Sequence, residues 1–144
     1  MSGVSRRETA DRMHSAAIHL LRRVSRADEE AMGISRARAS ALSVLIFGGP
    51  RTVTELADAE RVRLPTMSRL VRAMEEEGLV RRAPHATDGR SVRIHATAKG
   101  RRVIERGREQ RLGLLEDLLR VADAREVAVV REAAEIVERA LGSA

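Results

Sequence analysis

Residues 64–96 read LPTMSRLVRAMEEEGLVRRAPHATDGRSVRIHA, and a change of period inside them decides the fold. Up to Glu77 the apolar residues Met67, Leu70, Val71 and Met74 recur at spacings of three and four, which places them on one helix face. Pro65 suits the first turn, where a missing N–H costs nothing, and Gly78 suits the position just past the end. Beyond Gly78 the pattern shortens. Residues 79–84 and 91–96 read as two short strands, and in the second Val92 and Ile94 point one way while Arg93 and His95 point the other. Asp88-Gly89 supplies the turn between them. A helix followed by a hairpin with a basic tip is half of a recognisable unit.

The other half lies upstream. A short helix is expected over about 54–60, with Leu56 and Ala57 facing inward, and a tight turn at 61–64 joins it to the helix that begins near Pro65. Thr52 to Thr54 is short and β-prone. Before it, Ser35 can cap a helix over 36–47 whose apolar face holds Ala39, Leu42, Leu45 and Ile46, and Gly48-Gly49-Pro50 ends that helix. The first helix covers about 7–30, with Met13, Ala16, Ala17, Leu20, Leu21 and Val24 at helical spacings, and Gly33 breaks it. Downstream, Thr97 can cap a long helix over 98–119. Asp123 and Glu126 have capping-box spacing ahead of a last helix that reaches about Leu141. The fold class is therefore mainly α with a small two-stranded β wing, a winged helix-turn-helix between long N- and C-terminal helices. We expect one domain over 1–144, with the winged helix-turn-helix at 35–97 and long helices at 1–34 and 98–144.

Composition narrows the function. No cysteine is present among the 144 residues, which excludes disulfides, thiolate metal sites and thiol redox sensing. Phe47 is the one aromatic residue, so the core is built from Leu, Val, Ile, Ala and Met, which suits helices. No apolar run approaches the ~20 residues that span a bilayer. The first residues carry arginines with no apolar stretch behind them, so a secretory signal is not expected and the reading is cytoplasmic. The net charge is +6, and +4 of it falls on residues 61–93. A local cationic excess is what a polyanion-binding surface requires. His14 and His19 are five apart and do not share a helix face, and no His/Asp/Glu group has ligand spacing, so no metal or cofactor is expected. Gly48-Gly49 is a helix terminator rather than a phosphate-cradling loop, and no serine sits in a nucleophile elbow, so no enzyme is expected.

Several stretches resemble the MarR (multiple antibiotic resistance regulator) family. They are Leu56-Ala57, Pro65 to Val71, Glu77-Gly78-Leu79-Val80-Arg81-Arg82, Asp88-Gly89-Arg90 and Thr97-Ala98-Lys99-Gly100. GLVRR followed by a D-x-R wing and then T-x-x-G is the specific part. The resemblance implies a homodimer whose first, fifth and sixth helices intertwine between subunits. It also implies repression of nearby genes, relieved by a small-molecule effector in the cleft between dimerisation and DNA-binding regions; no effector-binding residue is assigned. Two departures stand out. Leu64 precedes Pro65 where a capping residue is common, and the pocket region lacks aromatic residues.

Double-stranded DNA is the expected partner. Thr66, Ser68 and Arg69 open the recognition helix, where hydroxyls bond to bases or phosphates and arginine pairs with guanine O6 and N7. Arg63 ahead of the helix and Arg72 one turn past Ser68 are placed at phosphates. Arg90 is expected in the minor groove with Asp88 orienting it, and Arg93 at a phosphate. Met67, Leu70, Val71 and Met74 are assigned to packing. Two other readings stay open: a winged helix that binds DNA without an effector, and a helical adaptor that docks another protein.

Overall fold

The computed structural model describes residues 4–85 and 87–142, except for the side chain of Glu29. The elements follow in the order α1 (Arg6–Met32), α2 (Arg36–Gly48), α3 (Val53–Glu60), α4 (Leu64–Glu76), β1 (Val80–Pro84), β2 (Val92–Ala96), α5 (Ala98–Leu119) and α6 (Ala124–Leu141). The chain forms two compact units, Met1–Gln110 and Arg111–Ala144.

The first unit owns the core. Ala41, Leu42 and Leu45 of α2, Leu56 and Ala57 of α3, and Met67, Val71 and Met74 of α4 are buried together with Leu79, Val80, Ile94, Val103 and Ile104. The helically spaced stripe of α4 thus packs as its period requires, and Leu70 lies half-buried at its edge.

Caps set the boundaries. Ser35 accepts the Arg38 N–H and starts α2. Thr52 accepts the Glu55 N–H at 3.1 Å while Glu55 accepts the Thr52 N–H at 2.9 Å, a capping box that starts α3. This corrects the β-prone reading of Thr52 to Thr54. Two reciprocal bonds to the backbone outweigh a weak local strand preference, and only Arg51 just before them bridges to Ile94. α3 closes on Arg61, which adopts a left-handed conformation with φ 53°, and the Val62 N–H donates to the Ala57 carbonyl at 3.0 Å. This is the tight turn of the helix-turn-helix.

β1 and β2 pair antiparallel in the register Val80↔Ala96, Arg82↔Ile94 and Pro84↔Val92. Ile94 faces the core as alternation demands, while Val92, nearer the tip, stays exposed. Thr97 then ties the wing to α5. Its hydroxyl accepts the Gly100 N–H at 3.1 Å and lies 2.6 Å from the Gly78 carbonyl, to which it donates. Gly100 sits so close that a Cβ there would lie 2.3 Å from the Leu79 carbonyl oxygen. Only glycine permits this approach of α5 to the wing.

In the second unit, Asp123 and Glu126 form the expected capping box, and Gly142 (φ 72°) closes α6. α6 buries no residue. No helix among the described residues is long and apolar enough to cross a membrane.

Candidate nucleic-acid interface

The start of α4 is built to be open. Its N-cap is Arg63, which offers no side-chain hydrogen bond to the first turn, so the missing cap expected near Leu64 is found one residue earlier. The positive end of the helix dipole, roughly half a charge, therefore faces solvent with no side-chain acceptor upon it. Arg63, Thr66, Arg69 and Arg72 are all exposed on this helix, and Ser68 is half-buried. Met67, Val71 and Met74 fix the opposite face in the core, so these polar side chains are held outward.

The wing tip is held by backbone bonds. The Arg90 N–H donates to Asp88 Oδ1 at 3.1 Å, the Ser91 N–H to the Asp88 carbonyl at 3.1 Å, and the His85 N–H to the Ser91 carbonyl at 2.7 Å. Asp88 thus orients the Arg90 backbone rather than its guanidinium. That guanidinium is exposed and makes no ion pair with any described residue. A fixed backbone carrying a free cation is suited to insertion where negative potential is concentrated.

Arg93 is placed differently. Its side chain is 27% exposed, against 80% for Arg72, and its Nη1 donates to the Pro50 carbonyl at 3.1 Å and lies 3.4 Å from Glu55 Oε2. Glu55 is held below the usual carboxylate range, first by the hydrogen bond from the Thr52 backbone and then, against some desolvation, by Arg93 and Arg51. Arg93 therefore ties the wing to the start of α3.

The acidic run at the end of α4 has a role that local sequence did not reveal. Glu75 pairs with Arg82 of β1 at 3.0 Å, Glu76 with Arg72 at 3.3 Å, and Glu77 with Arg38 of α2. Three carboxylates that oppose the helix dipole are each offset by an arginine. Two of those arginines come from other elements, so the run fastens α4 to both the wing and α2. Exposed pairs of this sort contribute little singly. Their effect is to fix angles. Among the described residues no group of three metal-ligating side chains assembles.

The geometry has counterparts. The sequence profile of the MarR family matches residues 32–91, which run from the end of α1 to the wing tip. The chain is 32% identical over 123 residues to the HTH-type transcriptional regulator Mb0904 of Mycobacterium bovis, covering 85% of this chain and 86% of that one. Among solved structures, a MarR family protein from Bacillus stearothermophilus superposes with a TM-score of 0.77 at 24% identity, covering 96% of this chain and 99% of that one. A mutant of S. aureus MepR bound to an oligodeoxyribonucleotide superposes with a TM-score of 0.72 at 18% identity, covering 92% and 97%. An open recognition helix, a basic wing and a relative matched along most of its length agree: the chain belongs to the MarR family and is a transcriptional regulator with a DNA-binding winged helix.

Proposed function

We propose that this regulator is a homodimeric, cytoplasmic repressor that grips a palindromic operator and is released by a small-molecule effector. The observation that carries the DNA contact is the pairing of two open cationic elements: the uncapped start of α4 and the fixed wing tip with its free Arg90 guanidinium. Thr66, Ser68 and Arg69 read base edges in the major groove, and Arg63 and Arg72 hold phosphates. Arg90 enters the minor groove, with Asp88 shaping the turn that presents it. Arg93 is already engaged through Nη1 with Pro50 and Glu55, which makes its contact the weakest of the set.

Exposed apolar side chains support the dimer. Ile18, Leu20 and Leu21 on α1, and Val129, Val130 and Ile136 on α6, are exposed. Patches of this kind on a soluble surface mark association sites. Two recognition helices related by a two-fold axis then meet successive major grooves roughly 34 Å apart, on an imperfect palindrome of about 16–20 base pairs. For the effector, support comes from a cavity of about 610 Å³ lined by Ala31 of α1 and by Arg102 and Arg106 of α5. A ligand that favours one helix spacing over another shifts the population away from the DNA-competent form.

The test uses the DNA immediately upstream of the protein's own gene. Footprinting is expected to show one protected palindrome, and sedimentation of the complex two chains per site. A single protected half-site, or one chain per duplex, overturns the reading.

A further inference from the structure

The wing has a second face, of which the proposed DNA contacts use Arg93 alone. Strand alternation and the register Arg81↔His95 and Ala83↔Arg93 put Arg81, Ala83, Arg93 and His95 on the face opposite the buried Val80 and Ile94. Ala83 is small, and the longer side chains around it leave a hollow. Pro50, brought alongside by the Arg51↔Ile94 bridge, closes one wall. The result is a cavity of about 490 Å³ whose polar lining is Arg81, His85, Arg93 and His95, with no carboxylate among its walls.

The lining carries more cationic donors than the chain itself engages. Arg81 makes no ion pair with any described residue. Arg93 Nε is buried without a hydrogen bond, although Nη1 of the same group is engaged. A buried donor left unpaired is costly. His95 is held below the ordinary imidazole range first by burial and then by Arg81 and Arg93, so two cations act on it within the hollow. His85 adds direction. Its Nδ1 accepts the Thr87 backbone N–H at 3.3 Å, so the neutral ring carries its proton on Nε2, a donor free for another group.

We propose that this hollow on the outer face of the wing binds a small phosphate ester, its phosphate held by Arg81, Arg93 and His95. A tetrahedral oxyanion has enough acceptors for guanidinium and imidazole donors converging from two strands, and charge-assisted bonds of this kind are the strong ones. The cavity exceeds a bare phosphate, and Pro50, Ala83 and Pro84 give its remaining wall an apolar character suited to the organic part. The site lies off the recognition helix; it shares Arg93 with the DNA-contact set, and its test is run without DNA.

The test is a titration of the full chain, without DNA, with inorganic phosphate and with phenyl phosphate at neutral pH. Ionic strength is balanced with chloride, and the histidine imidazole signals are followed by NMR. Saturable shifts of His95 and His85 are expected, with phenyl phosphate the tighter ligand. Arg81→Gln and His95→Gln should each weaken both by about tenfold or more, equivalent to about 1.4 kcal/mol. Arg120→Gln, in the second unit, should change nothing. Shifts that chloride reproduces, or an unchanged affinity in Arg81→Gln, overturn the proposal. A parallel measurement uses a mixed-sequence duplex at low salt. If Arg81→Gln loses duplex affinity while the wild-type protein shows no saturable phosphate binding, the hollow holds a DNA backbone phosphate and the proposal fails.

Discussion

α4 and α6 are both amphipathic helices, yet they spend their apolar faces differently. α4 has no side-chain cap at its start, and it buries Met67, Val71 and Met74. α6 has a full capping box and a left-handed glycine at its end, and it buries nothing within the chain. One helix is held by the core and leaves its N-terminus open. The other is held by its own ends and leaves its face open. The proposed function assigns a partner to each open feature: a duplex to the start of α4, a second copy to α6. In this chain the missing local interactions point to function more directly than those that are present.

The contrast can be broken by substitution. Met74→Ala should cost roughly 2–5 kcal/mol in urea unfolding, because it removes a fully buried side chain and leaves a cavity. Ile136→Glu should leave the core of the first unit intact, shift sedimentation toward monomer and abolish the concentration dependence of Tm. If Met74→Ala is nearly neutral, or if Ile136→Glu leaves the association state unchanged, the two helices do not differ as described.

The caps sharpen it further. Asp123→Ala should cost about 1 kcal/mol, since α6 has little burial to compensate for a lost cap. Arg61→Gly should stabilise by up to about 1 kcal/mol by relieving a left-handed residue in the helix-turn-helix turn. Thermal or urea unfolding checks both.

The smallest effect concerns pH. His95 has its pKa depressed in the fold below the ordinary 6.5 by burial, then by Arg81 and Arg93. On acidification the unfolded chain takes up this proton first, so the contribution is complete above about 6.5 and is lost as pH falls through the folded-state value. Stability measured against pH should therefore decline below that point, and His95→Gln should flatten the decline.

Much of this was legible in the sequence because it is local. The stripe of α4, the Asp88-Gly89 turn, the Ser35 and Thr97 caps and the Asp123 capping box each need residues only a few positions apart. Thr52 misled because three β-branched residues in a row favour a strand until Glu55, three residues on, completes a capping box. The pairing of Glu77 was hidden for another reason. Arg38 lies 39 positions from Glu77, and only the core that α2 and α4 share brings them together. Arg93 is of the same kind, since Pro50 and Glu55 reach it from 43 and 38 positions away. The outer hollow of the wing follows from alternation once the register is known, and register is set by the strand partner, not by either strand alone.

The central claim is that the start of α4 and the wing tip form one duplex-binding surface. The most direct measurement is the affinity of the wild-type protein and of Arg90→Ala for upstream DNA across a salt series. The variant should bind about tenfold or more weakly, with the slope of log affinity against log salt reduced by about one. Equal affinity and equal slope for the two proteins would contradict the account, since an exposed and unpaired guanidinium at the wing tip would then be touching nothing on the DNA.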